Sequence, residues 1–153
     1  MKVQTRLFGT IEVNANSIIT LLEPLAGFPK HLVYAILRSA DTFPLVWLQS
    51  IDTCEICFPM LDPRIVKPDY SISLSGVARR ELGLLNGTQP ELFVLVVIPE
   101  DIKQMTANLR APLVINPDLR LGRQLILDEP YPIRYPIVRT ESSAQTSETA
   151  CVR

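Results

Sequence analysis

Leu92-Phe93-Val94-Leu95-Val96-Val97-Ile98 is apolar throughout and rich in β-branched residues. A run of this length and composition reads as a central strand buried on both faces. It is far shorter than the ~20 apolar residues that cross a bilayer. Trp47, Phe93, Leu95, Val97 and Ile115, each within an apolar run, are the expected core. Downstream, Pro112 to Asn116 and Leu121 to Leu127 read as a hairpin turning at Pro117-Asp118, with Gly122 marking a bulge. Tyr131 to Ile137 is extended, because each proline disfavours helix in the residue before it.

Upstream, Ser75 to Leu85 is the best helix, capped by Ser75 and ended by Asn86-Gly87. Asp62-Pro63 and Pro68-Asp69-Tyr70 mark a loop region before it. His31 to Arg38, Pro44 to Ile51 and Ile56 to Leu61 are three further strands. Glu23 to Phe28 reads as a single helical turn closed by Gly27, and Ser17 to Leu22 as another apolar run. Lys2 to Val13 forms two short strands around Phe8-Gly9. Many short strands joined by proline-rich connections predict an all-β, mainly antiparallel, small β-barrel-like domain with one or two short helices. The domain is expected to span residues 1–138. Residues 139–153, dominated by Ser, Thr, Glu and Ala, are expected to form a disordered tail.

The whole chain has 153 residues, 47% of them apolar and 20% charged. That is enough for one self-sufficient core and excludes a disordered protein. No apolar stretch of signal-peptide length follows the charges at the start, and the three cysteines are irregularly spaced, so the cytoplasm is the expected compartment. The net charge of -1 and scattered basic residues, with Arg79-Arg80 as the lone basic pair, argue against a nucleic-acid binder.

Chemistry is sparse. Cys54-Glu55-Ile56-Cys57 is a C-x-x-C, readable as a thiol redox pair or half of a zinc site. Pro59 speaks against the helix that a redox pair uses, and residues three apart on a strand face opposite ways. The zinc reading lacks a second ligand pair, since His31 and Cys151 are all that remain. His31 has no recognisable nucleophile or orienting carboxylate to work with. Glu100-Asp101 and Asp128-Glu129 read as solvated turn residues rather than acid/base couples. A direct RNA-binding barrel would need an exposed stacking aromatic. Trp47, between Val46 and Leu48, is expected in the core instead. No enzyme, metal or cofactor is expected.

Met105 to Asn116 joins small polar residues to an apolar strand. Asn108 suits a tight turn, Arg110 can reach solvent or a carboxylate, and Leu109 is expected to be exposed. A protein-binding surface is therefore expected on Asn108-Leu109-Arg110-Ala111-Pro112, near Glu100 and Asp101. The competing reading is that Asn108 and Arg110 only brace the turn.

Thr106-Ala-Asn-Leu-Arg-Ala-Pro-Leu-Val-Ile-Asn116 resembles the signature of the FliW family of flagellar assembly factors. Arg120-Leu-Gly-Arg-Gln-Leu-Ile-Leu127 and Tyr131-Pro-Ile-Arg134 follow in the family's order. Phe8-Gly-Thr-Ile-Glu-Val13, Gly27-Phe28, Leu45-Val-Trp-Leu-Gln-Ser50 and Pro68-Asp69-Tyr70 match upstream. Leu25-Ala26-Gly27 departs from the usual Leu-Pro-Gly, and Tyr135 stands where His is common. The resemblance implies a cytosolic, non-enzymatic β-barrel protein, monomeric when free, with two protein partners. These are flagellin and CsrA, the RNA-binding repressor of flagellin translation; no nucleic acid or membrane is bound directly.

Overall fold

Lys2–Thr5 (β1) and Gly9–Glu12 (β2) pair antiparallel in a separate hairpin. The remaining strands are Ile18–Leu21 (β3), Val33–Arg38 (β4), Val46–Ser50 (β5), Cys57–Leu61 (β6), Glu91–Val97 (β7), Thr106–Ala107 (β8), Leu113–Asn116 (β9), Leu121–Gln124 (β10) and Tyr135–Pro136 (β11). Two short helices, Pro63–Val66 (α1) and Gly76–Glu81 (α2), lie between β6 and β7. This computed structural model describes residues 1–85 and 87–137. The expected tail and Cys151 lie outside the described residues.

The sheet runs β7-β6-β5-β4-β3-β10-β9 and returns to β7 through the β7–β9 pairing, closing a seven-stranded barrel. Every pairing is antiparallel except the short β3–β10 contact. The fold expected from the sequence is borne out.

Alternation along the strands sorts apolar side chains into two layers. Ile19, Leu21, Tyr34, Ile36, Leu48, Met60, Phe93, Leu113 and Ile115 form one cluster. Their strand neighbours Ala35, Leu37, Trp47, Leu61, Leu92, Val94 and Val114 join a second, where Val3, Tyr70, Leu82 and Leu109 also pack. The sheet is thus covered on both faces, and its strands read as continuous apolar runs. Trp47, Phe93 and Ile115 are buried as expected. Leu95 is half-buried, and Val97 is 64% exposed. Val97 is the last residue of β7 and lies on the Phe93 and Leu95 face, past the end of the first cluster, while its neighbour Val96 is buried in the second.

Local chemistry moved several boundaries. Ser75 caps α2 as expected, its hydroxyl accepting the Ala78 N–H. The helix nevertheless stops at Gly83, well short of Asn86-Gly87. Gly83 has a φ of 68°. The Leu84 N–H bonds the Arg79 carbonyl and the Gly83 N–H bonds the Arg80 carbonyl, a Schellman termination. Near Gly27 the chain makes a tight turn, closed by the Phe28 N–H on the Leu25 carbonyl, in place of a helical turn. Gly122 pairs in regular register with Ile115, so no bulge lies there. A side chain at Gly122 would press on Leu21 and Ile115, 3.3 and 3.4 Å from an added Cβ.

The bulge sits elsewhere. Between the Val96–Ala107 and Phe93–Leu113 pairs, β7 advances three residues while its partner advances six. Three residues are therefore looped out of the ladder within 108–112, in the segment expected to bind partners.

Candidate interaction surface

Glu100 and Asp101 occupy the connection that leaves β7 and returns as β8. Both are exposed. The Asp101 carboxylate accepts the Lys103 N–H at 3.0 Å, capping a 3₁₀ turn over Ile102–Gln104. One carboxylate oxygen is thereby committed locally, while the Glu100 side chain is uncommitted by any described hydrogen bond or ion pair. The pair forms an acidic corner at one end of the barrel.

The looped-out segment is held in place by its own contacts. Asn108 is half-buried, and its side-chain oxygen accepts the Arg110 N–H at 3.1 Å in an Asx-type turn. The Arg110 Nε donates to the Tyr131 carbonyl at 2.9 Å. Leu109 is 0% exposed, correcting the expectation that it lies at the surface. Its carbonyl accepts the Tyr70 hydroxyl at 2.7 Å, and its N–H donates to the Pro132 carbonyl at 3.1 Å. Looping out three residues turns Leu109 inward, beneath Tyr70, whose ring lies 4.6 Å from that of Tyr131. Burial pushes the Tyr70 hydroxyl well above the ordinary tyrosine range, so it stays a proton donor to Leu109. Pro112 is buried too, with its carbonyl accepting the Leu125 N–H at 2.9 Å. Of the six expected contact residues, Glu100 and Asp101 are fully presented and Asn108 and Arg110 partly so. Leu109 and Pro112 support them from below.

The cysteines have a structural setting. Gln49, 0% exposed, donates through its side-chain amide to the carbonyls of Ser50, Thr53, Cys54 and Ile56. Its side-chain oxygen accepts the Arg6 N–H at 3.0 Å, tying the Cys54 turn to the N-terminal hairpin. Cys54 and Cys57 are both free and half-buried. Burial pushes the Cys57 thiol up to about 12, with a smaller opposing pull from Arg6. A thiol so protonated is a poor nucleophile at neutral pH. Iodoacetamide at pH 8 is therefore expected to leave Cys57 unmodified in the folded chain and to alkylate it in 6–8 M urea, read by mass spectrometry. Equal labelling in both states would refute this.

Trp47 is 2% exposed and its indole N–H donates to the Thr42 hydroxyl at 3.0 Å, so it offers no platform for a base. His31 is half-buried in the loop before β4, and Asp128-Glu129 sits in the turn before Tyr131. Among the described residues, no group of three or more His, Cys, Asp or Glu could hold a metal ion. No helix among them is long and apolar enough to cross a membrane.

Sequence reasoning missed one feature. Phe43 is 69% exposed and Ile65 48% exposed, and both line an open groove of about 410 Å³. Phe43 stands among turn residues, between Asp41-Thr42 and Pro44. A bulky aromatic in such a place was the available signal.

Comparison with known proteins covers the whole barrel. The family model described as FliW protein matches residues 2–137. A protein described as flagellar assembly factor FliW, from Caldanaerobacter subterraneus subsp. tengcongensis, is 38% identical over 146 residues, covering 94% of this chain and 97% of the relative. Its counterpart from Thermoanaerobacter pseudethanolicus is 36% identical over 149 residues, covering 96% and 99%. A crystal structure of the flagellar assembly factor FliW superposes with a TM-score of 0.82 at 29% identity, covering 92% of this chain and 99% of that one.

Proposed function

The chain belongs to the FliW family of flagellar assembly factors, and we propose that it acts without catalysis, as a cytoplasmic, monomeric protein that holds flagellin before export. Released when flagellin is secreted, it binds the translational repressor CsrA and lifts repression of flagellin synthesis. One observation carries this reading: the family match extends over the entire described barrel rather than over a single motif. In energetic terms the device is mass action. Flagellin lowers the concentration of free regulator, and with it the occupancy of CsrA.

The acidic corner supplies the CsrA contact in this reading. An RNA-binding protein presents positive charge, and Glu100 and Asp101 steer it by complementary potential. Arg110, braced on Tyr131, lies on the adjoining surface with Asn108. Calorimetric titration with purified flagellin and CsrA, each alone and then in competition, tests the reading. The Glu100→Gln/Asp101→Asn double variant is expected to melt like the parent and to bind CsrA several-fold more weakly. The deficit should shrink as salt is raised from 50 to 500 mM. Unchanged CsrA affinity at low salt would remove this corner from the contact.

A further inference from the structure

At the opposite end of β7 from the acidic corner lies the groove lined by Phe43 and Ile65. Its apolar lining includes Pro44, Leu92 and Phe93. Two guanidiniums flank it. The Arg38 guanidinium stands 5.7 Å from the centroid of the Phe93 ring, and Arg64 projects from the first turn of α1 and is exposed. The acids in the same wall are already engaged. Glu91 accepts Arg120 at 3.3 Å and meets Arg38 only at 3.9 Å. The Asp62 carboxylate caps α1 through the Arg64 N–H at 2.9 Å. Arg38 and Arg64 thus line the groove with two carboxylates, of which Glu91 is also held from outside the groove by Arg120, and Arg64 has no acidic partner within ion-pair distance among the described residues.

From this placement we infer that the groove is a second docking surface, which seats an acidic peptide segment carrying a bulky apolar side chain. The apolar side chain lies between Phe43 and Ile65, and a carboxylate beside it pairs with Arg64. A basic RNA-binding face is repelled here, for the same reason that it is attracted to Glu100 and Asp101. The occupant is therefore presented by flagellin, and this rests on the function proposed above. Six residue steps along β7, at about 3.3 Å each, put the two surfaces roughly 20 Å apart. The two anchors thus differ in electrostatic character, yet a protein-sized footprint of about 800 Å² centred on either one overlaps the other, so the two partners still exclude each other.

Purified flagellin and CsrA are titrated separately into the parent chain and into the Phe43→Ala and Arg64→Glu variants. Both replaced side chains are exposed, and melting curves verify that the fold is kept. Each variant is expected to bind flagellin at least about ten-fold more weakly while CsrA affinity stays within about two-fold. The Arg64→Glu deficit should shrink with salt, and the Phe43→Ala deficit should not. Flagellin binding unchanged in both folded variants overturns the groove. An equal loss of both partners overturns the division between surfaces. If the parent itself fails to bind flagellin, the proposed function falls and the groove's occupant falls with it. That outcome is distinguished because it is read on the parent alone.

Discussion

Leu109→Asp is expected to unfold the chain, or to lower its melting temperature so far that binding to both proposed partners is lost together. Truncating a fully buried leucine to alanine costs about 2–5 kcal/mol. A carboxylate in the same place adds the penalty of burying a charge without a partner. A domain has only about 5–15 kcal/mol to lose. Leu109 is 0% exposed, and its carbonyl holds the Tyr70 hydroxyl. Thermal unfolding followed by circular dichroism decides the matter. A variant that melts with the parent would return Leu109 to the surface. The comparison also separates two explanations of lost binding: Leu109→Asp should fail both partners by loss of fold, whereas neutralising Glu100 and Asp101 should weaken CsrA alone.

Trp47→Ala should be nearly as severe. The indole is 2% exposed within the second layer, and its N–H is satisfied by the Thr42 hydroxyl. Removing a buried aromatic of this size costs about 3–5 kcal/mol. At about 2–4 °C per kcal/mol for a chain of this length, the midpoint should fall by roughly 6–20 °C. Trp47→Phe keeps most of the packing and removes the hydrogen bond, so it should lose less. A Trp47→Ala midpoint within 2 °C of the parent would show that the second layer contributes little.

The strand framework was legible because burial on both faces writes long apolar runs. Leu92 to Ile98 and the hairpin around Pro117-Asp118 could be read directly. Ser75 was legible as a cap because its hydroxyl replaces a missing backbone partner, whatever the tertiary context. What escaped depended on contacts between distant residues. The three looped-out residues shift the inward-facing parity: Ala107 lies in the second layer before the bulge, Leu109 within it and Val114 after it. Leu109 was expected outside because it follows a polar turn, and only the contacts with Tyr70 and Pro132 turn it inward. Gly122 looked like a bulge because both a bulge and a close approach favour a missing side chain, and only the packing of Leu21 and Ile115 tells them apart. The acidic corner was legible, since charges in a turn stay in solvent. The groove was not, because Phe43 meets Ile65 only through the path of the folded chain.

The one parallel contact of the barrel bears on when the protein can begin to work. β3 meets β10 through the Thr20 N–H on the Arg120 carbonyl and the Leu22 N–H on the Gly122 carbonyl. About a hundred residues separate these partners. Synthesis at about 5–20 residues per second puts roughly 5–20 s between their emergence from the ribosome. One edge of β3 must wait without its β10 partner until that strand has been made. Closure is therefore a late event, dominated by pairing across long loops and slow for its size. A burst of new synthesis cannot deliver folded copies until each chain is almost complete, so a sudden demand is met from the pool already folded.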